Sequence, residues 1–436
     1  MSTSEGKNLY IETYGCQMNE YDSDRIRTAL GMNLVDDPEH ADVVIINTCA
    51  IRAKADHKAF SSLGRLKHLK SRKPGMVIGV GGCVAQLYGK KLLEDNPHLD
   101  LVFGTRNIPS LPRLIEEVAR ERIVETSFDV EDIFDFEPYH EDGKITGFVS
   151  VQSGCNKKCT YCIVPTVRGG EVNRPLEDIL SEAGSLVAKG AKEITLIGQT
   201  VNSWKHDGKR FADLLRRVAE IVGLLRLRFT TSYPRDMTKG VIEAIRDTEK
   251  ICHHIHLPVQ SGSNKVLKAM GRTYTREWYT DVVSRLRDAV PDIAISTDII
   301  VGFPGETEED FGDTMKLVEE IQFDSSFSFK FSPRPGTPAA QLAGALPDDV
   351  AGGRLRELQA LQSEITYKKN RQRVGEVEEV LVEGYSKMSP FMVSGRTTHN
   401  RIVNFPGDIN LKGKLARVKI TEGFQNSLLG QFIETI

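Results

Sequence analysis

The chain has 436 residues, too many for one ordinary domain, and we expect two or three domains. Hydrophobic residues make up 40% of it and charged residues 27%, which is typical of a soluble globular protein. The net charge of −3 excludes a chain that is basic throughout, so any contact with nucleic acid must rest on a local patch. Because no apolar run could span a membrane and no secretory signal is evident, we expect a cytoplasmic protein with no membrane partner.

The first part of the chain, residues 1–122, alternates strand-like with helix-like segments. Strands are predicted at 8–14, 43–47, 76–80 and 101–103, and helices at 21–30, 52–71 and 111–120. This alternation predicts an α/β domain built on a doubly wound parallel sheet. Ligands of such sheets gather at the carboxyl ends of the strands.

Three cysteines, Cys16, Cys49 and Cys83, each lie just after one of these strands. They are therefore expected to emerge at one edge of the sheet, where three thiolates could hold an iron–sulfur cluster with one iron left open. Three buried and unreactive thiols are the alternative, which is a common fate of free cysteine. The odd total of seven cysteines fits metal ligation better than a disulfide framework.

An acidic segment separates this domain from the next. Residues 121–142 carry nine Asp or Glu and one Arg, and we interpret residues 123–143 as a linker that runs over the surface. From 144 to 367, repeated strand and helix segments predict a partial (β/α) barrel, with its chemistry at the carboxyl ends of the strands.

The stretch from Ser153 to Glu171 holds three more cysteines, Cys155, Cys159 and Cys162, in the spacing C-x3-C-x2-C. Such a loop can give one thiolate to each of three irons of a cubic cluster and leave the fourth iron open. Structural zinc is the alternative, but it usually takes four ligands, and no fourth lies nearby.

The segment CHHIH at 252–256 is a second grouping of possible metal ligands. Alternation along a strand would put His254 and His256 on one face and His253 on the other. This favours a hydrogen-bonded pocket lining over a zinc site, and Cys252 is predicted to be an unligated thiol.

The last segment, residues 368–436, alternates apolar and polar residues with Gly between them, which predicts a small all-β barrel. It carries eleven Lys or Arg and seven Asp or Glu, so it is a basic module on an acidic body. That charge favours contact with phosphates. A module for packing or oligomerisation is the alternative.

Several motifs then suggest a family. The 153–171 loop resembles the signature of radical S-adenosylmethionine (SAM) enzymes, with Tyr161 at its aromatic position. Three segments are similar to the N-terminal domain of the methylthiotransferases: YGCQMNEYDS (14–23), INTCAIR (46–52) and GVGGCVAQ (79–86). GRTTHNR (395–401) resembles the turn of a TRAM domain, a small RNA-binding barrel. Further segments of the central region also resemble the tRNA-modifying branch, among them LIGQTVNSW (196–204), FTTSYPRDM (229–237) and HLPVQSGSNKVLKAMGRTYTRE (256–277).

The resemblance implies SAM and two [4Fe–4S] clusters as cofactors. Cys155, Cys159 and Cys162 would hold the cluster that cleaves SAM, and Cys16, Cys49 and Cys83 an auxiliary cluster that binds sulfur. It also implies a set of residues that contact SAM or RNA. Tyr161, Gln199, Ser232, Gln260 and Asp298 are expected to line the SAM pocket, and Arg396 and Arg401 to contact RNA. Arg168 and Arg174 are candidates for contact with phosphate or the SAM carboxylate, with ordinary surface arginines as the alternative.

The activity implied is methylthiolation of tRNA, in which N6-isopentenyladenosine next to the anticodon becomes its 2-methylthio derivative. One SAM would donate a methyl group and a second would yield the radical. The expected partners are the tRNA anticodon stem-loop and an electron donor such as flavodoxin or ferredoxin, and the protein is expected to be a monomer. Two alternatives stay open: a methylthiotransferase acting on threonylcarbamoyl-adenosine or a ribosomal protein, and a metal-containing RNA-binding protein without catalysis.

Overall fold

A computed structural model describes residues 6–50, 53–130, 133–134 and 136–436. Its first unit is a parallel sheet of six strands in the order β2-β1-β3-β4-β5-β6. The elements of this unit are β1 (Asn8–Thr13), α1 (Gln17–Leu30), β2 (Asn33–Leu34), β3 (Val43–Thr48), α2 (Ala53–Arg72), β4 (Val77–Gly82), α3 (Cys83–Asp95), β5 (Leu101–Phe103), α4 (Leu111–Glu117) and β6 (Ile123–Glu125).

Helices cover both faces of this sheet, which confirms the predicted doubly wound α/β unit. Leu63, on α2, belongs to one hydrophobic core, and Ile26, on α1, belongs to another. Every residue of the central strand β3 is buried, as its unbroken apolar run VVII indicates for a strand covered on both faces. Residue 52, the predicted start of the second helix, lies outside the described residues.

The second unit contains six parallel strands in two sheets, β7-β10-β13 and β14-β15-β16. A parallel bridge between Leu227 and Ile251 joins the two sheets, which gives the predicted partial barrel. Its elements are β7 (Thr146–Ser150), β8 (Gln152–Ser153), α5 (Val164–Arg168), β9 (Val172–Asn173), α6 (Leu176–Ala188), β10 (Glu193–Ile197), β11 (Lys205–His206), β12 (Lys209–Arg210), α7 (Phe211–Ala219), β13 (Arg226–Phe229), α8 (Lys239–Asp247), β14 (His254–His256), α9 (Asn264–Ala269), α10 (Arg276–Ala289), β15 (Ala294–Val301), α11 (Glu308–Ile321), β16 (Ser325–Lys330) and α12 (Asp348–Gln372).

The third unit is a closed five-stranded barrel in the order β17-β18-β19-β21-β20, which confirms the predicted small all-β barrel. Its strands are β17 (Val377–Ser386), β18 (Ser389–Thr397), β19 (Ile402–Pro406), β20 (Leu415–Gly423) and β21 (Leu428–Thr435). Alternate residues such as Val380, Val382 and Phe405 fill its interior, because successive side chains of a strand point to opposite faces.

This C-terminal barrel docks on the amino-terminal ends of the central strands. Arg228, in β13, donates to the Thr397 and Thr398 carbonyls at 2.7 and 3.1 Å. Asp292, which precedes β15, contacts Nε2 of His399 at 2.8 Å. The carboxyl ends of the same strands, where chemistry is expected, therefore face away from the C-terminal barrel.

The segment predicted as a linker over residues 123–143 begins with β6, which pairs with β5 and completes the first sheet. Its apolar residues then pack between the first two units. Ile133 is buried and its carbonyl accepts a hydrogen bond from Arg25. The Phe136 ring meets Tyr21 edge-on at 5.7 Å between centroids. Residues 131, 132 and 135 lie outside the described residues. Arg174 of the second unit lies over the Phe136 ring at 5.4 Å from its centroid, so Phe136 contacts both units.

None of the helices in the described part of the chain combines the length and the apolar character needed to cross a bilayer.

Candidate active site

The loop of residues 153–171 is closed at its neck by a two-residue antiparallel pairing of β8 with β9. Gly154 has a left-handed backbone (φ 80°), and a Cβ there would lie 2.1 Å from the Gly170 carbonyl oxygen. Only glycine therefore allows the two ends of the loop to approach this closely. The Cys155 N–H donates to the Gly169 carbonyl at 3.1 Å, which holds the first cysteine at the neck.

The loop brings Cys155, Cys159 and Cys162 within electrostatic reach of one another. Burial raises the pKa of Cys162 to about 12, and the charges of the other two cysteines act in the same direction. Burial also raises the pKa of Cys155, against a hydrogen bond that its sulfur accepts from the Lys157 N–H at 3.4 Å. Buried thiols such as Cys155 and Cys162 become stable thiolates when a metal supplies positive charge. The donor set fits an iron–sulfur cluster held by three cysteines.

A partly buried arginine beside this loop was not among the predicted site residues. Arg272 donates from Nη1 to Cys159 Sγ at 3.3 Å and to the Tyr161 hydroxyl at 3.4 Å. Its other nitrogens reach the Tyr274 hydroxyl at 2.7 Å and the Pro258 carbonyl at 2.9 Å. Burial opposes the charge, but nearby phenols and Cys159 raise the pKa of Arg272, so it stays protonated. A permanent positive charge therefore lies against one cysteine of the loop.

Gly271 allows this approach. It has φ of 70°, and a Cβ there would lie 2.5 Å from the Lys158 carbonyl oxygen inside the cysteine loop. Next to it, the Thr160 N–H donates to the Met270 carbonyl at 2.9 Å. The motif AMGRTYTRE, quoted above as part of the resemblance, was the available signal for this pair of residues.

Cys16, Cys49 and Cys83 form a second group at the carboxyl edge of the first sheet. Cys16 is the N-cap of α1, Cys49 follows β3, and Cys83 begins α3. A hydrogen bond with Cys49, together with backbone N–H groups of α1, outweighs burial and lowers the pKa of Cys16 to about 6. Burial raises the pKa of Cys83, and the charge of Cys16 adds to that effect. The structure thus brings together the three thiols that the strand pattern placed at one edge.

Two asparagines lock this second group in place, and neither was predicted as a site residue. Asn19 donates from Nδ2 to Asn47 Oδ1 at 3.1 Å and to the Thr48 carbonyl at 2.9 Å. Asn47 returns a hydrogen bond to the Asn19 carbonyl at 2.8 Å. The Cys16 thiol donates to Asn19 Oδ1 at 3.5 Å. The start of α1 is therefore tied to the end of β3, where Cys49 lies.

The two cysteine groups border the same buried cluster. Cys83 belongs to this cluster, as does Ile163, the residue that follows Cys162. The Thr105 hydroxyl donates to the Val167 carbonyl at 2.9 Å across the same boundary. The end of the central cysteine loop thus packs against the edge of the first sheet where Cys83 lies.

Arg168 and Arg174 are both buried, with exposures of 4%, so the alternative that they are ordinary surface arginines is wrong. Arg168 donates to Asp22 Oδ2 at 2.6 Å, and Arg174 pairs with Glu182. Each guanidinium thus already has a carboxylate partner within the protein. Sequence pattern did not indicate these partners, because the first pair joins residues 146 positions apart.

Two of the residues predicted to line the SAM pocket carry polar atoms without partners. Gln199 Oε1 accepts a hydrogen bond from the Gly154 N–H at 2.5 Å. Its Nε2 is buried and has no hydrogen-bond partner among the described residues. The Ser232 hydroxyl is likewise buried and without a partner among them. Both residues follow barrel strands at their carboxyl ends. Orphaned polar atoms beside the cysteine loop fit a site that binds a polar cofactor such as SAM.

Of the other three predicted pocket residues, Gln260 follows the end of β14, whereas Asp298 lies within β15 and not at its end. Gln260 has φ of 77°, and its N–H donates to the Asp298 carbonyl at 2.8 Å. The Asp298 carboxylate lies 3.5 Å from Nε2 of His256. Tyr161 packs against the cluster that contains Met270. Contact of these residues with SAM stays a prediction.

The CHHIH segment divides its side chains as the strand alternation predicts. His254 Nε2 and His256 Nδ1 each lie 3.0 Å from the Ser296 hydroxyl, so both face one side. His253 instead contacts the carboxylate that His399 of the C-terminal barrel also contacts. Cys252 is buried, which raises its pKa to about 11.

Arg396 and Arg401, predicted to contact RNA, lie where the two barrels meet. Arg401 donates to Asp324 Oδ1 at 2.5 Å, and Asp324 immediately precedes β16 of the central barrel. Arg396 pairs with Glu383 at 3.2 Å and donates to Asn400 Oδ1 at 3.2 Å. Their role in RNA binding stays a prediction.

Family models match three parts of the chain, one for each unit of the fold. Residues 8–104 match the Uncharacterized protein family UPF0004, residues 149–318 the Radical SAM superfamily, and residues 371–433 the TRAM domain. These matches, with a partial barrel that carries a C-x3-C-x2-C loop, define a radical SAM enzyme with a TRAM domain at its C-terminal end.

Similar proteins extend over the full set of domains. A tRNA-2-methylthio-N(6)-dimethylallyladenosine synthase from Carboxydothermus hydrogenoformans is 48% identical, over 96% of this chain and 97% of that protein. One from Escherichia coli O139:H28 is 47% identical, over 98% of this chain and 93% of that protein. The chain belongs to the family of the tRNA-2-methylthio-N(6)-dimethylallyladenosine synthases, a family of tRNA methylthiotransferases.

Solved structures share the fold at low sequence identity. The radical SAM methyltransferase TsrM from Kitasatospora setae aligns with a TM-score of 0.57 and 16% identity, over 77% of each chain. The cobalamin-dependent SAM radical enzyme OxsB aligns with a TM-score of 0.52 and 12% identity, over 82% of this chain and 56% of that one. At this level of identity these likenesses show the fold alone.

Proposed function

We propose that this protein converts N6-isopentenyladenosine in tRNA, the base next to the anticodon, to its 2-methylthio derivative. The observation that supports this proposal best is the pair of cysteine groups, which border one buried cluster that contains both Cys83 and Ile163, the residue after Cys162. A reaction that needs one centre to activate SAM and another to hold sulfur requires such neighbouring sites. The identity to synthases of this kind over nearly the whole chain points to the same reaction.

In this proposal each cysteine group holds one [4Fe–4S] cluster. Cys155, Cys159 and Cys162 hold the cluster that binds SAM, and the other group holds the auxiliary cluster. Thiolates are the ligands such clusters take, and three of them leave one iron open. The bound groups supply the sulfur, the methyl group and the radical that removes hydrogen from the adenine carbon, chemistry that no side chain provides.

The chain's own side chains bind and orient the cofactors. Gln199 Nε2 and Ser232 Oγ offer polar atoms to SAM, since they lack partners among the described residues. Arg272 directs Nη1 at Cys159 Sγ, so it stabilises that thiolate. Tyr161, with Gln260 and Asp298, completes the proposed SAM pocket at the carboxyl ends of the strands.

The adenine must leave the stack of the anticodon loop to reach this pocket. A cavity of about 380 Å³ opens beside the cysteine loop, and Lys157, Lys205, Arg210 and Arg235 are among its lining residues. We assign the phosphates near the target base to this rim, because cations next to a flipped base would hold its backbone. The C-terminal barrel, with Arg396 and Arg401, contacts the stem in this proposal.

The proposal includes a one-electron donor such as flavodoxin or ferredoxin, a monomeric protein and a cytoplasmic location. The donor is required because cleavage of SAM consumes an electron that the chain itself does not generate. A cytoplasmic location follows from the substrate, since tRNA is modified where it is made and used.

Cysteine variants test the two-cluster assignment. The protein prepared without oxygen is expected to contain about eight irons, and alanine at Cys16, Cys49 and Cys83 should leave about four and preserve SAM cleavage. That variant should lose methylthiolation of tRNA, measured by mass spectrometry of nucleosides. Cys252→Ala is the matched control, because this buried thiol lies outside both groups, and its iron content should not change. Retained methylthiolation in the triple variant would refute the assignment.

The same nucleoside measurement in a deletion strain decides the substrate. Loss of the 2-methylthio mark from isopentenyladenosine supports the proposal. Loss from threonylcarbamoyl-adenosine, or no change in tRNA, would indicate the other methylthiotransferase activities. One zinc in place of iron would indicate a non-catalytic RNA-binding protein.

A further inference from the structure

Arg168 belongs to the central barrel, but its side chain reaches into the first unit. It is the last residue of α5, six positions after Cys162, and it is 4% exposed. Its Nη2 donates to Asp22 Oδ2 at 2.6 Å, and Asp22 lies on α1, the helix that Cys16 caps. A charged side chain of one unit is therefore buried next to a cysteine group of the other.

Arg168 also contacts the cysteine group itself. Its side chain forms a hydrogen bond with Cys83, and the residue before it, Val167, packs in the same buried cluster as Cys83. The ion pair with Asp22 keeps the buried guanidinium in place beside this cysteine.

We propose that Arg168 is a positioning residue through which the radical SAM domain stabilises the auxiliary cluster and sets its reduction potential. A cluster bound by three thiolates is negatively charged, and reduction adds negative charge. A nearby fixed cation favours the reduced form, and low exposure to water makes its effect larger.

Asp22 provides a second variant in which the expected shift in reduction potential has the opposite direction. It holds the guanidinium in place at 2.6 Å, and its negative charge offsets the positive charge of Arg168. Removal of the Arg168 charge should therefore lower the potential, whereas removal of the Asp22 charge should raise it. A residue that only supports the fold would not shift the potential in opposite directions in the two variants.

The test uses the full chain with alanine at Cys155, Cys159 and Cys162, so that only the auxiliary cysteines can hold a cluster. Because the inference rests on the proposed cluster assignment, iron is counted first after anaerobic reconstitution with iron and sulfide. The cluster is then titrated with dithionite and followed by electron paramagnetic resonance. A background protein that binds no iron overturns the cluster assignment, and with it this inference.

At the midpoint potential of the background protein, Arg168→Met should lower the ratio of reduced to oxidised cluster at least tenfold. A tenfold change corresponds to a shift of about 59 mV for a one-electron couple. Arg168→Lys keeps the charge and should change the ratio less than threefold, and Asp22→Asn should raise it. If Arg168→Met does not fold, because the buried Asp22 loses its closer partner and keeps only Arg25 at 3.7 Å, the double variant Arg168→Met/Asp22→Asn replaces it. It should still lower the ratio, since Arg168 is the member of the pair whose side chain hydrogen-bonds with Cys83. Bound iron with an unchanged midpoint in Arg168→Met, or in the double variant, overturns the inference.

Discussion

Arg272→Met is expected to destabilise the central barrel even without any cluster. The side chain loses charge-assisted hydrogen bonds to the Tyr274 hydroxyl (2.7 Å) and the Pro258 carbonyl (2.9 Å), each about 1.5–3 kcal/mol. It also loses its cation–π contact with Tyr233, at 4.6 Å from the ring centroid, a contribution of about 0.5–2 kcal/mol. The substitution relieves the desolvation of the cation, and the Pro258 carbonyl keeps a hydrogen bond from Tyr274. We therefore expect a net loss of about 2–3 kcal/mol.

Urea unfolding of the iron-free protein measures this loss. The two tryptophans of the chain, Trp204 and Trp278, both lie in the central barrel, so their fluorescence reports on that unit. At a slope of about 2–3 kcal/mol/M, the midpoint should fall by about 1 M urea. Arg285→Met is the control, since Arg285 is exposed on α10 and its pair with Asp281 contributes about 0.3–0.5 kcal/mol. An Arg272→Met midpoint equal to that of the control would show that the contacts with Tyr274 and Pro258 contribute nothing to stability.

Three further outcomes are expected. In iron-free protein at pH 7, Cys16 should react with iodoacetamide well before Cys162, because pKa values of about 6 and about 12 make only Cys16 mostly thiolate. Below pH 6 the rate at Cys16 should fall, because its thiol becomes protonated. Peptide mass spectrometry measures the modification at both cysteines. Gly271→Ala should lower the free energy of unfolding by at least about 1–2 kcal/mol, because its Cβ would lie 2.5 Å from the Lys158 carbonyl oxygen. It should also reduce the iron bound at the central cysteine loop, and equal iron in variant and parent would contradict this. Arg228→Met should leave the buried carboxylate of Glu193 without its partner and remove the hydrogen bond to the Thr397 carbonyl in β18. Amide hydrogen exchange in β18 should therefore become faster, and unchanged exchange there would contradict this expectation.

The sequence was sufficient to predict the order of the domains and the location of both cysteine groups. Strand periodicity identified the parallel sheet and the barrel, and the rule that ligands gather at strand carboxyl ends placed Cys16, Cys49 and Cys83 together. These are local patterns, readable in windows of ten to twenty residues.

The charged side chains around the cysteines could not be assigned in that way. Arg168 meets Asp22 from 146 positions away, and Arg272 meets Cys159 from 113 positions away. Neither spacing has a period, because the first contact joins two separate units and the second joins distant segments of the central barrel. The same is true of Arg401, whose motif suggests RNA contact but whose side chain pairs with Asp324 in the structure.

The docking of the C-terminal barrel has a geometric consequence for the RNA. The C-terminal barrel contacts the amino-terminal ends of central strands such as β13 and β15, which are four and eight residues long. The cysteine loop opens at the carboxyl ends of the central strands. At about 3.3 Å per residue, the two ends lie about 13–26 Å apart. A free nucleoside can enter the cavity without touching the far end, but a molecule that engages both must extend along the flank of the barrel. Short fragments should therefore bind weakly even when they contain the correct base, and affinity should rise once the RNA is long enough to reach both ends.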